Sequence, residues 1–139
     1  MRPWFIRQAL GRGALVLVFA LGAMSTQAAV YTVTLDGMSF TPANLTIYQG
    51  DAIHFENVGG PDNLHNVRAD DDRFICALNC NTNRSPSTAA WQDIVAFNRP
   101  GTIGFYCEQH GNLTSGMRGS VTVLERIYAD GFDGVELIP

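Results

Sequence analysis

The stretch Phe105-Tyr106-Cys107-Glu108-Gln109-His110, followed by Gly116-Met117-Arg118-Gly119, sets a thiol, an imidazole and a thioether close together in the chain. These donors suit a soft, redox-active metal. Two His and one Cys in a trigonal plane, with a weak axial Met, make the ligand set of a blue-copper electron-transfer site. One imidazole is missing from the stretch. The chain has three histidines in all, so that donor is His54 or His65. His54 lies in Ala52-Ile53-His54-Phe55-Glu56, on the strand face opposite Ile53 and Phe55, and reads as solvent-facing. His65 stands at a loop-to-strand junction after Gly59-Gly60-Pro61-Asp62-Asn63, and so would enter the site from a different strand than Cys107. Asn66 beside it could hydrogen-bond across to the cysteine-bearing loop and hold the two together. His65, Cys107, His110 and Met117 are thus the candidate metal ligands, and Asn66 their candidate support.

The free thiol needs a reason. The chain opens with Arg2, Arg7 and Arg12, runs apolar from Ala14 to Met24, and leaves through Ser25-Thr26-Gln27-Ala28. A basic start, a short apolar stretch and a small-residue exit make residues 1–28 a secretory signal, with the mature chain starting near Ala29. The apolar stretch is short for an uncut membrane anchor, which needs about 20 residues. The expected destination is the periplasm or the exterior, with no membrane span once the signal is removed. In that oxidising setting disulfides persist. Cys76 and Cys80 lie four apart and are expected to pair locally; a Cys-x3-Cys clip for zinc or copper is the other reading, with no histidine near it in sequence. Cys107 is left as the odd cysteine, and ligation would hold it as a thiolate and protect it from stray pairing.

The scaffold reads as strands. Val30–Leu35, Leu45–Tyr48, Ala52–Glu56, a short run around Leu64–Val67, Trp91–Phe97, Thr102–Cys107 and Gly119–Leu124 are β-branched or alternating, and Asp36-Gly37, Gly50-Asp51 and Pro100-Gly101 punctuate them. Residues 69–90 are polar and read as a long loop with one short helical turn. Seven or so short strands without a helical period predict an all-β, antiparallel sandwich in a single domain. Removing the leader takes three of the nine basic residues and none of the thirteen acidic ones, and no lysine occurs anywhere. That balance excludes a nucleic-acid footprint; it could steer a basic partner.

Taken together, these features resemble those of a small cupredoxin of the plastocyanin and pseudoazurin group. The marks are Gly50-Asp51, His65-Asn66-Val67, Pro100-Gly101-Thr102, Tyr106-Cys107-x-x-His110 and Gly116-Met117-x-Gly119, spread over residues 30–124. The block Ala69-Asp70-Asp71, Phe74 and Cys76-x3-Cys80 is similar to a bacterial branch of that group. The resemblance implies a Greek-key β-sandwich of seven to eight strands over 29–124, one type 1 copper per monomeric chain, and His65, Cys107, His110 and Met117 as its ligands. It also implies an apolar docking patch at the edge of His110 and single-electron shuttling between redox protein partners. One spacing departs from the pattern: six residues, Gly111 to Gly116, separate His110 from Met117 where plastocyanins have four. A peptide carbonyl, or nothing, is the alternative to Met117 in the axial place.

Other functions fare worse against the residues. Catalytic copper clusters, as in a multicopper oxidase or nitrite reductase, need more than three histidines, so an enzyme is not expected. A copper chaperone or storage module is the rival reading, though such proteins use exposed Met- or His-rich sites rather than one compact set with a thiolate. Asp70-Asp71-Asp72 reads as a solvated face, and Asn44-Leu45-Thr46 and Asn112-Leu113-Thr114 match a glycosylation acceptor that recurs by chance. The tail 125–139 is either disordered or docked through Phe132.

Overall fold

The computed structural model describes residues 27–127. The expected leader at 1–28 and tail at 125–139, with the docking of Phe132, lie outside the described residues except at Gln27, Ala28 and 125–127. Nine strands are present: β1 (Val30–Asp36), β2 (Ser39–Thr41), β3 (Asn44–Tyr48), β4 (Ala52–Asn57), β5 (Val67–Ala69), β6 (Ile75–Cys76), β7 (Trp91–Ala96), β8 (Gly101–Gly111) and β9 (Gly116–Leu124). They form two sheets, ordered β2-β1-β4-β7 and β3-β9-β8-β5-β6. The result is an all-β Greek-key sandwich, with no helix among the described residues.

Alternation decides what each sheet buries. In β1, Val33 and Leu35 are fully buried, and in β4 so are Ile53 and Phe55, because period-2 residues share one face of a pleated strand. The opposing sheet answers with Ile47, Ile103, Phe105, Val121 and Val123. Phe105 is the pivot between the layers. Its ring meets Phe40 edge-on at 5.0 Å and Phe55 edge-on at 5.4 Å, a geometry that suits aromatic quadrupoles.

Three expectations need correction. The sandwich is mixed rather than antiparallel: β1 runs parallel to β4 and β3 parallel to β9. Alternation fixes which face is buried and carries no information on direction, and the long connections of this fold return strands in the same sense. The run around Leu64–Val67 is not a strand at His65, which makes only an isolated bridge to Ser87; regular pairing begins at Val67. The polar stretch 69–90 has no helical turn and instead contributes β6, which pairs with β5. Two short strands, β2 and β6, were not expected, and β8 extends past Cys107 to Gly111.

The far end of the sandwich is pinned by Asp51, whose side chain is 1% exposed. Its Oδ2 accepts from Tyr48 N at 2.9 Å, and its Oδ1 accepts from Ala29 N at 2.9 Å and pairs with Arg126. Burial pushes the Asp51 carboxyl up, but the Ala29 and Tyr48 donors and the Arg126 charge together hold it below its ordinary value. The Arg126 guanidinium lies over the Tyr48 ring, 5.5 Å from its centre.

Replacing the pivot tests the packing. Phe105→Ala removes a fully buried ring between two layers and is expected to cost about 3–5 kcal/mol in urea unfolding. A loss under about 1 kcal/mol would show that the layers do not depend on it.

Candidate metal centre

Three of the four expected ligands meet at one end of the sandwich. Cys107 Sγ lies 3.6 Å from His65 Nδ1 and 3.7 Å from His110 Nδ1, and the two Nδ1 atoms are 3.1 Å apart. The chain separation is large, since His65 and Cys107 are 42 positions apart. His65 and Cys107 are fully buried and His110 is half-buried. The small triangle of two imidazole nitrogens and a sulfur, each facing the others, is the arrangement of ligands around one ion rather than of a catalytic dyad. Its donors are soft and borderline, with no oxygen, which fits copper and disfavours hard cations.

His65 is oriented from behind. Asn63 Nδ2 donates to Gly59 O at 2.8 Å and Asn63 Oδ1 accepts from Gly37 N at 2.7 Å, so the amide cannot turn round. The same Oδ1 stands 3.2 Å from His65 Nε2 and must take its proton. That fixes the tautomer with an unprotonated Nδ1 toward Cys107 and His110, the role an outer hydrogen bond plays for a metal-bound histidine. Burial and then the nearby His110 push the His65 imidazole below its ordinary value, which keeps it neutral and able to donate its lone pair. The backbone on either side is held as well: His65 and Ser87 exchange N–H···O bonds at 3.2 and 3.0 Å, and Trp91 Nε1 donates to His65 O.

Asn66 joins the two ligand segments at two points. Its Oδ1 accepts from Glu108 N at 2.9 Å, and its Nδ2 donates to Glu108 Oε2 at 2.6 Å and to Arg84 O at 2.9 Å. Glu108 is in turn paired with Arg68 on β5. Neither Asn63 nor Glu108 could be singled out from the sequence. Asn63 reads as part of a turn and Glu108 as a solvated charge between two candidate ligands; a polar residue two positions from a candidate histidine is the only available signal.

Met117 is the second residue of β9, is 2% exposed, and lies with its backbone against Gly111. The hairpin before it explains the longer spacing. Gly111 pairs with Gly116, and residues 112–115 form a closed turn in which Asn112 Oδ1 accepts from Thr114 N and Ser115 N, and Asn112 N donates to Ser115 O. The additional residues are thereby taken up outside the sandwich. Gly116 has φ +85°, and a Cβ there would strike His110 O, so glycine is required for this approach. Arg118 then ties the turn to the body of the sheet, donating to Asn112 O and pairing with Asp70.

The remaining sequence candidates lie elsewhere. His54 is on the outer face of β4, 3.1 Å from Gln92, away from the triangle. Cys76 and Cys80 are joined as a disulfide; Asp93 also approaches them, but both sulfurs are already used.

Comparison with known proteins places this geometry. A family model described as copper binding proteins, plastocyanin/azurin family, matches residues 27–124. Plastocyanin A/B of Petroselinum crispum is 33% identical over 90 residues, covering 63% of this chain and 89% of its own. The chloroplastic plastocyanin of Oryza sativa subsp. indica is 32% identical over 128 residues, covering 85% and 80% respectively. Among solved structures, a Cu-containing nitrite reductase from Thermus scotoductus SA-01 superposes with a TM-score of 0.50 at 23% identity, over 78% of this chain and 25% of its own, a likeness of fold alone.

Asn63 offers a test of the orienting contact. Asn63→Ala removes the acceptor for His65 Nε2 and is expected to weaken copper binding by about 10–100-fold in a competitive chelator titration. A change under about threefold would show that His65 is held by its backbone alone.

Proposed function

The chain belongs to the plastocyanin/azurin family of copper-binding proteins, and on that premise we propose that it is an exported one-electron carrier whose single copper is held by His65, Cys107 and His110, with Met117 in the axial place. The mutual approach of the three donor atoms within 3.7 Å at a buried end of a rigid sandwich is the observation that carries this reading. Copper supplies the one-electron exchange between Cu(II) and Cu(I). The protein's part is to keep the ligands from rearranging as the charge changes. The His65 tautomer is fixed by Asn63, the two ligand segments are bound together by Asn66 and Glu108, and the thiol of Cys107 has the Leu64 carbonyl as its backbone neighbour at 3.9 Å.

Electrons would pass through His110. Its ring is half-buried whereas that of His65 is fully enclosed, so His110 offers the shorter route to solvent. Leu113 in the adjoining turn is 57% exposed and would form part of an apolar docking surface for a redox protein partner. A carrier fits better than an enzyme, because the one histidine left over, His54, lies outside the centre. A chaperone or storage role fits poorly with ligands this deeply buried, since metal handed between proteins needs accessible donors. The proposed domain runs over 29–124, is monomeric, and is released to the periplasm or exterior by removal of 1–28; the chloroplastic relative matches over 128 residues. No helix among the described residues is long and apolar enough to cross a membrane.

Purified copper-loaded protein is expected to be intensely blue, from thiolate-to-Cu(II) charge transfer, with a narrow copper hyperfine splitting in electron paramagnetic resonance; Cys107→Ser is expected to abolish both. A colourless Cu(II) form indifferent to that substitution would remove the electron-carrier reading. Met117→Leu is expected to leave copper bound and raise its reduction potential, measured by protein-film voltammetry. An unchanged potential would take Met117 out of the axial place.

A further inference from the structure

The Asp51 carboxylate has a use that neither the copper centre nor the core absorbs. It is buried at the end of the sandwich opposite a solvent-exposed Ala28, and one of its donors is the backbone N–H of Ala29. Ala29 is held on its other side too, because its carbonyl accepts from Ala52 N at 2.9 Å, just ahead of the first rung of β1 on β4, Val30 against Ala52. We propose that Asp51 is the receptor for a processed N-terminus: an export endopeptidase hydrolyses the Ala28–Ala29 bond, and the new α-ammonium of Ala29 docks on Asp51 Oδ1. This rests on the export reading above.

The chemistry balances with water as the only co-reactant. Water adds across the amide, Ala28 leaves as a carboxylate, and the Ala29 nitrogen gains the protons that make it an ammonium. The nitrogen is already 2.9 Å from Oδ1, so a neutral amide donor becomes a charged one with no movement of the chain. Charge-assisted hydrogen bonds are roughly twice as strong as neutral ones. The site selects one bond. A cut one residue earlier would put the charge on Ala28, which is exposed; a cut one residue later would remove both the Asp51 partner and the carbonyl that Ala52 N needs. The charged groups facing the nitrogen are Asp51 and Arg126, which shares Oδ1 and limits the gain, while Tyr48 N occupies Oδ2.

The chain contains no lysine, so after cleavage the α-amine is the only primary amine in the protein. That makes the test direct. The full-length chain is expressed with its leader in an exporting bacterial host, and the copper-loaded protein is recovered from the periplasm. Intact mass is expected to give Ala29 as the first residue. Acetylation of the amine by acetic anhydride, followed by mass spectrometry from pH 6 to 10, is expected to show a midpoint roughly half a pH unit or more above the ordinary α-amino range of about 7.7–8.0. At pH 8 that is about a twofold slower reaction than in the urea-unfolded chain, and at pH 6, well below both midpoints, about a threefold slower one. Asp51→Asn is expected to return the midpoint to the ordinary range; if that variant does not fold, the midpoint of the unsubstituted protein decides alone. A cleaved chain starting at another residue, or an Ala29 amine with an ordinary midpoint, overturns the inference and leaves export standing. A chain that keeps residues 1–28 overturns both.

Discussion

The whole arrangement depends on bringing His65 to Cys107 and keeping it there without an intervening strand. His65 is not part of a ladder of its own; it is an isolated bridge residue between a glycine-rich turn and the start of β5. What substitutes for a ladder is a set of side-chain amides. Asn57 Nδ2 donates to the carbonyls of Asn63, Ser87 and Ala89, Asn63 turns its oxygen to the imidazole, and Asn66 bridges to Glu108. Buried amides of this kind are costly unless satisfied, and here they are satisfied mostly by the backbones of Gly37, Gly59, Arg84, Ser87, Ala89 and Glu108. The polar end therefore has a single arrangement. A partly satisfied network would admit several, and the imidazole with it.

The apolar body has the complementary role. Phe105 lies two residues before Cys107 on β8, and its ring is clasped by Phe40 and Phe55 from the opposing sheet. Packing of this density resists movement along the strand. The cysteine sulfur is thus located by the core on one side and by the Asn66–Glu108 contacts on the other. One half of the restraint is directionless burial and the other is directional hydrogen bonding, and each supplies what the other lacks.

Which parts of this were legible in the sequence follows from the range of the interactions. Val33, Leu35, Ile53 and Phe55 announce their burial through alternation, a local property of the chain. The donors His65, Cys107 and His110 could be singled out by residue type, by the odd cysteine count and by the scarcity of histidine. Strand direction could not be read, because β1 beside β4 and β3 beside β9 are decided by connections that run through other strands. Asn63 and Glu108 were invisible for a related reason: a turn asparagine and a surface-type glutamate acquire their roles only when Gly37, Gly59 and Asn66 arrive from elsewhere. The two additional residues before Met117 read as a disturbance of the axial position. Folded, they are a self-contained turn that leaves Met117 buried at the start of β9.

That turn has a consequence for how such a chain can change. Because Asn112 closes 112–115 with bonds among its own residues, and Gly111 against Gly116 seals the stem, the segment draws its order from itself and from Arg118 rather than from His110 or Met117 on either side. Exposed, self-satisfied tips are where chains accept altered length and foreign sequence with least disturbance. The exposed rim beside His110 is thereby separable from the frame that holds the His65, Cys107 and His110 donors. On the proposed function, recognition can drift by loop grafting while the electronic properties of the centre are inherited unchanged.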